Sequence, residues 1–377
     1  MTVAARSLHS PASIFAVVGT RPEVVKMAPV VAALRRRQLP VKVVVTGQHY
    51  TQQMMGTFLD AFHLDVDYRL ELGNRDLLGS FVEILGGLGK MIVDHKPELV
   101  LAVGDTTTVL AAAMAARKAG SAFGHIESGL RAFSRELPEE EHRICADALA
   151  DLLFAPTRIA VENLTREQVN GQILLTGNPV LDALRTHAPH VPPDHERRGV
   201  LVTLHRQETV DDVEKLAQVL AALDRLGHDH EVVWPVHPRT QAKVAEAGLA
   251  FPPTIEICEP LGHGEFLAKL ASARLVVTDS GGVQEEAAIL GTPCVTVRNN
   301  TERPETIAEG LGLLANVEAP AILAAIGEIM RDWRSFARPA PHLYGDGRAG
   351  EKIAAACADW LAARDSGIAA DLRRTAT

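Results

Sequence analysis

Residues Ile14–Lys26 read IFAVVGTRPEVVK: five apolar residues, a glycine turn, and a proline where a helix would begin. A short continuous apolar run that ends in such a turn is a strand buried on both faces, which requires helices to cover it. The fold class expected from this stretch is α/β. The same rhythm continues outward at Val41–Val45, Leu99–Val103 and Ala122–Ile126, each followed by a turn and a helix candidate. It resumes later at Val200–Leu204, Val232–Trp234, Ile255–Cys258, Leu275–Thr278 and Cys294–Val297, with helical stretches such as Asp212–Leu226 between. Between the two series, THAPHVPPDHERRG (186–199) carries three prolines and three histidines without apolar periodicity. Two Rossmann-like domains are therefore expected, over 1–185 and 200–377, with 186–199 as linker. A helical tail from Gly350 to about Ala363 places Ile353, Ala356, Cys357 and Trp360 at helical spacing and is expected to pack back across the junction.

Bulk properties agree with that layout. A chain of 377 residues accommodates two ordinary domains, and 47% hydrophobic against 4% aromatic content suits aliphatic parallel strands. The net charge of −9 without a basic stripe argues against a nucleic-acid partner. No run of 18 apolar residues and no CxxC pair among the four cysteines point to a cytoplasmic chain with no membrane partner and no metal.

Chemistry-bearing residues fall where strands run into helices. Arg21 and Lys26 follow the first strand, where open α/β sheets bind ligands; a plain turn with solvated charges accounts for them equally well. In Asp279-Ser280-Gly281-Gly282, two glycines open a helix, so that backbone N–H groups and the positive helix end can approach a diphosphate. An ordinary Ser/Gly helix entry is the alternative. Glu286, one turn further, could accept from ribose hydroxyls. Asp105 and Glu127 follow strands, and Glu139 opens a helix in PEEEHR (138–143). Singly these read as an N-cap or a dipole-matching face; together, on one sheet edge, they can divide acid and base roles. His205 and His237 follow second-half strands and can contact a phosphate or be satisfied by local backbone. Gly310–Ala315 (GLGLLA) matches a dinucleotide fingerprint on letters only, and the GGLGKM run (86–91) lacks the Ser/Thr of a P-loop.

Taken in order, GTRPE (19–23), TGQH (46–49), GDTTT (104–108), HIESGLR (125–131), PEEEHR, TGNPV (176–180), TLHRQET (203–209), PVHPR (235–239), TDSGGVQEE (278–286), TERPE (301–305) and YGDG (344–347) resemble the non-hydrolysing UDP-N-acetylglucosamine 2-epimerases. The match runs from about Ile14 to Ile353. The resemblance implies two Rossmann-like domains facing a central cleft, the GT-B type of fold shared with many glycosyltransferases, a homodimer, no cofactor, and a UDP-sugar as substrate. It implies reversible interconversion of UDP-GlcNAc and UDP-ManNAc by elimination of UDP and its return to a glycal. Asp105, Glu127 and Glu139 then form the acid/base set, and the other catalytic residues are His205, which holds the diphosphate, and Lys26, which assists near the same anion or orients a carboxylate. Arg21, Arg143, Ser280, Gly281, Gly282 and Glu286 hold the nucleotide, and Gln48, Arg75 and His237 resemble parts of a second, activating site. His142, Ser128 and Leu311 depart from the family's usual Asn, Ala and Thr/Ser. A UDP-2,3-diacetamido-sugar epimerase, a hydrolysing relative and a glycosyltransferase are the competing readings, with a non-catalytic nucleotide-sugar sensor as a further class.

Overall fold

The computed structural model describes residues 14–47, 52–73, 76–134 and 137–365. The chain divides into two compact units, Met1–Ala183 with Tyr344–Thr377, and Leu184–Leu343. In unit 1, seven strands, β1 (Ile14–Val18), β2 (Val41–Val45), β3 (Tyr68–Arg69), β4 (Leu99–Val103), β5 (Ala122–Ile126), β6 (Leu152–Ala155) and β7 (Gln172–Leu175), lie in the order 3-2-1-4-5-6-7. In unit 2, six strands, β8 (Arg198–Thr203), β9 (Val232–Pro235), β10 (Glu256–Cys258), β11 (Ala273–Thr278), β12 (Cys294–Val297) and β13 (Gly312–Ala315), lie in the order 10-9-8-11-12-13. Every pairing is parallel. Both orders reverse beside their first strand, β1/β4 and β8/β11, and each reversal opens a crevice at the carboxyl ends of the strands.

The strand pleat explains why the aliphatic runs are continuous. Ile14, Ala16 and Val18 of β1, with Leu99, Leu101 and Val103 of β4, face one core, while Phe15, Val17, Val100 and Ala102 face the other. Burying each such side chain contributes about 1.5–3 kcal/mol, so a polar residue on either face would be costly.

The tail corrects one expected boundary. Helix Ala349–Asp365 belongs to unit 1 and not to the second domain: Ile353, Ala354, Cys357 and Leu361 are buried in the first core, with Ala356 and Trp360 packed partly against it. Asp182 accepts from the backbone N–H groups of Ala349 and Gly350 at 3.1 and 2.9 Å, tying down the helix start. A Cβ on Gly350 would lie 2.7 Å from the Pro29 carbonyl, so only glycine permits this approach to helix Arg21–Arg36. The unit boundary falls at Ala183/Leu184, ahead of the proline-rich stretch. Gly310 precedes β13 and Gly312 is its first residue, so these glycines start a strand rather than open a helix. Among the described residues, no helix is long and apolar enough to cross a membrane.

Candidate functional site

At the β1/β4 crevice of unit 1, the chain leaves β1 through Gly19, whose missing side chain makes room for Thr46 and Thr108; a Cβ there would lie 2.6 and 2.2 Å from their hydroxyl oxygens. Helix Arg21–Arg36 follows, and its third residue, Glu23, turns back to accept from the N–H groups of Gly19 and Thr20. The other oxygen of Glu23 takes the Thr106 hydroxyl at 2.5 Å, in the loop after β4. Burial raises the Glu23 pKa from 4.5 to about 7, against the lowering effect of those hydrogen bonds, and the nearby Asp105 adds to the rise.

Lys26, one turn further on, pairs with Glu127 at 2.7 Å, and Asn178 donates to the same carboxylate oxygen at 2.9 Å. Glu127 has φ +67°, a left-handed conformation that costs a non-glycine residue about 1–3 kcal/mol and persists where surrounding bonds fix it. Asp105 pairs with Arg143, which also binds Glu140 at 3.0 Å, while His142 bonds the Asp105 carbonyl at 2.8 Å. Glu139 lies half-buried in the first turn of helix Pro138–Leu149, beside Glu140. Arg21 rests over the Phe58 ring, 5.7 Å from its centroid.

A buried ion network sets these loops. Asp147 takes His125 at 2.6 Å, Arg131 at 2.7 Å and the Gly129 N–H at 3.0 Å, while the other His125 nitrogen bonds the Gly104 carbonyl at 2.8 Å. Burial alone would push the Asp147 pKa up, but His125 and Arg131 hold it below the usual carboxylate value. One aspartate thereby fixes the loops that carry Asp105 and Glu127.

In unit 2, the acid at the reversal point is turned inward. Asp279 is fully buried and accepts from the N–H groups of His205 (3.0 Å) and Arg206 (2.9 Å), locking the loop after β8. The His205 ring stays exposed, 6.5 Å from that of His237, which caps helix Pro238–Glu246. Ser280 precedes helix Gly281–Leu290. A Cβ on Gly281 would meet Glu302 at 2.6 Å, whereas Gly282 has only the Ser280 hydroxyl within 4 Å, at 3.9 Å. Glu302 is gripped by Arg298 at 2.7 Å and Arg206 at 3.2 Å, and Arg303 binds Glu285. Glu286 is hydrogen-bonded to His263 at 2.9 Å.

Comparison with known proteins gives the family. The sequence model of the family described as UDP-N-acetylglucosamine 2-epimerase matches residues 32–358. The chain is 36% identical over 356 residues to the UDP-N-acetylglucosamine 2-epimerase of Methanococcus maripaludis, covering 89% of this chain and 96% of that one. The chain belongs to the UDP-N-acetylglucosamine 2-epimerase family. It is also 33% identical over 356 residues to the UDP-2,3-diacetamido-2,3-dideoxy-D-glucuronate 2-epimerase of Pseudomonas aeruginosa, covering 90% and 98% of the two chains. The crystal structure of Methanocaldococcus jannaschii UDP-GlcNAc 2-epimerase in complex with UDP-GlcNAc and UDP aligns with a TM-score of 0.83 at 33% identity, over 92% of this chain and 99% of that one.

In this epimerase-family chain, Lys26, Asp105, Glu127 and Arg143 lie in bonded pairs at one sheet edge, and Ser280, Gly281 and Gly282 stand at a helix N-terminus on another. Gln48 and Arg75 lie outside the described residues. Sequence reasoning passed over Glu23, Asn178, Asp147 and His263. Glu23 stands three residues after Thr20, the spacing of a capping box, so its pattern signals helix capping alone. Asn178 sits in TGNPV, a motif quoted for its resemblance with no side chain assigned. Asp147 and His263 carry no local signal, because the partners of Asp147 lie 16 to 22 residues away and that of His263 lies 23 away.

Proposed function

We propose that this chain interconverts UDP-GlcNAc and UDP-ManNAc without hydrolysing either and without an added cofactor. The observation that carries this reading is the acid set of unit 1, with Glu127 held by Lys26 and Asn178 and Asp105 held by Arg143. A carboxylate takes the C2 proton as the C1–O bond breaks and UDP leaves with the bonding pair. The product is a C1=C2 glycal. A second carboxyl returns a proton to the opposite face of C2, and the UDP oxygen re-forms its bond to C1. Asp105, Glu127 and Glu139 supply these acid/base groups. Arg21, His205 and the Ser280-Gly281-Gly282 helix start carry the growing negative charge of the diphosphate, and Glu286 takes the ribose. Such a helix start suits an anion by its free N–H groups and its dipole.

The test is incubation with UDP-GlcNAc in deuterated water. Deuterium at C2 of an intact UDP-sugar supports the reading, and stoichiometric UDP with free amino sugar would replace it by hydrolysis. The Pseudomonas relative supports one second reading, an epimerase of a UDP-2,3-diacetamido sugar, which the same experiment separates when run on both substrates. We further propose a homodimer. On helix Leu77–His95, Leu78, Val82 and Val93 are exposed along one face, with open space beside Gly86 and Gly89, a surface that suits a second helix.

A further inference from the structure

The acid/base reading leaves one carboxyl of the β1/β4 crevice without a task. Glu23 is buried, and its hydrogen bonds join two segments: the β1 loop through the N–H groups of Gly19 and Thr20, and the β4 loop through the Thr106 hydroxyl at 2.5 Å. Thr106 is the residue after Asp105 and accepts in turn from the Thr108 N–H at 3.2 Å, as cap of helix Thr107–Ala119. We propose that Glu23 is a positioning residue for Asp105, clamping the loop after β1 to the loop after β4 and setting, by its own charge, how strongly Asp105 holds a proton.

Both parts follow from the bonding. A carboxylate oxygen accepts from Thr106, and a neutral carboxyl donates to it, so the clamp survives either charge state. The charge beside Asp105 does not. The groups around the pair are Arg143 on Asp105, His142 on its carbonyl, and Arg21 and Lys26 on Glu23's own helix, with Lys26 engaged by Glu127. Burial brings the titration of Glu23 to about 7, within the working range of an enzyme. A new negative charge then makes Asp105 a stronger base, since like charges favour the protonated form of a neighbour.

The inference rests on the epimerase reading for its rate measurement only. Glu23→Gln keeps an oxygen for the two N–H groups and an N–H for the Thr106 oxygen, at constant neutral charge. We expect the wild-type kcat profile to bend near neutrality and the variant's not to. Their ratio should change at least about threefold between about pH 6 and about pH 8.5, with KM for UDP-GlcNAc within about twofold. Thr106→Val removes a bond that lowers the Glu23 pKa, so its bend should move to higher pH. A ratio constant over that range, or, where Glu23→Gln does not fold, an unmoved bend in Thr106→Val, overturns the proposal. Difference infrared spectroscopy without substrate should show a carboxylic-acid C=O band that fades through neutral pH in the wild type and is missing in Glu23→Gln. A wild type without that band overturns the proposal too. A wild type that shows the band but leaves UDP-GlcNAc untouched sinks the epimerase reading and leaves the proton on Glu23.

Discussion

The six strands of unit 2 repeat the order of the first six of unit 1, and each sheet places an aspartate just after the strand that follows the reversal: Asp105 after β4 and Asp279 after β11. The two aspartates are employed in opposite ways. The Asp105 side chain is 28% exposed and meets a guanidinium, whereas Asp279 is fully buried and accepts from two backbone N–H groups. A carboxylate satisfied by backbone pins a loop; one paired with a cation at a crevice is the kind of group the proposed acid/base chemistry needs. Topology provides the position, and the bonding partner decides the use.

The largest expected effect breaks this contrast directly. Asp105→Asn should lower kcat by about 10²–10⁴-fold while the melting temperature and UDP affinity stay near wild type. Asp279→Asn should leave the acids in place and instead cost about 1–3 kcal/mol of stability, because an amide presents one acceptor where two oxygens bond the loop. Steady-state kinetics and thermal melts on both variants check the pair. Loss of turnover with unchanged stability in Asp279→Asn would erase the distinction.

Next in size is a difference in how unit 1 responds to pH. Burial raises the Glu23 pKa from 4.5 to about 7, so the folded state holds that proton more tightly than the unfolded chain does. The stability it contributes is full below about pH 4.5 and is lost as pH rises through about 7, a change of about 3 kcal/mol. Glu23→Gln cannot ionise and escapes this loss. Its melting temperature should exceed that of the wild type at pH 8, with the advantage shrinking toward pH 5, as calorimetry on both proteins would show. Unit 2 has a parallel in Glu305, raised by burial against the opposing Arg303.

How much of this was legible in the sequence follows from the range of each interaction. β1 and β4 are continuous apolar runs, and β2, β5 and β12 are apolar runs broken by single residues such as Lys42, His125 and Thr296; the expected bounds of all five match the structure residue for residue. β3 has two residues and β7 is only partly buried, so neither leaves an apolar run long enough to read. Asp105 and Glu127 were legible as residue types at strand ends, and Glu139 as one at a helix start. What holds Glu127 was not, since Lys26 and Asn178 stand 101 and 51 residues from it in sequence and meet only through the fold. Glu286 was read as free to take a ribose, and no local pattern announces its bond to His263.

A smaller effect separates the two adjacent glycines of unit 2. In Gly281→Ala the new Cβ would press on Glu302 at 2.6 Å, and Glu302 is held by two arginines, so the cost should be about 1–3 kcal/mol in stability as well as weaker UDP binding. Gly282→Ala meets no such atom. Its stability should stay within about 0.5 kcal/mol of wild type, and UDP binding should weaken on its own if the diphosphate lies against that backbone. Calorimetric titration with UDP beside a thermal melt separates the two, and equal UDP affinity in Gly282→Ala and wild type would move the diphosphate elsewhere.

The smallest effect tests whether Glu286 reads a sugar hydroxyl or merely fills a pocket. Its bond to His263 at 2.9 Å fixes one carboxylate oxygen and leaves the other to accept from a ligand, so His263 acts by orientation and not by contact. Losing one hydrogen bond of this kind costs about 0.5–1.5 kcal/mol, so His263→Ala should weaken UDP by no more than about tenfold. The loss should be smaller for 2′-deoxy-UDP, which lacks one of the hydroxyls a carboxylate at that position would accept from. Equal losses for both nucleotides would remove the ribose from Glu286 and leave the His263 pair as a support for the start of helix His263–Ser272.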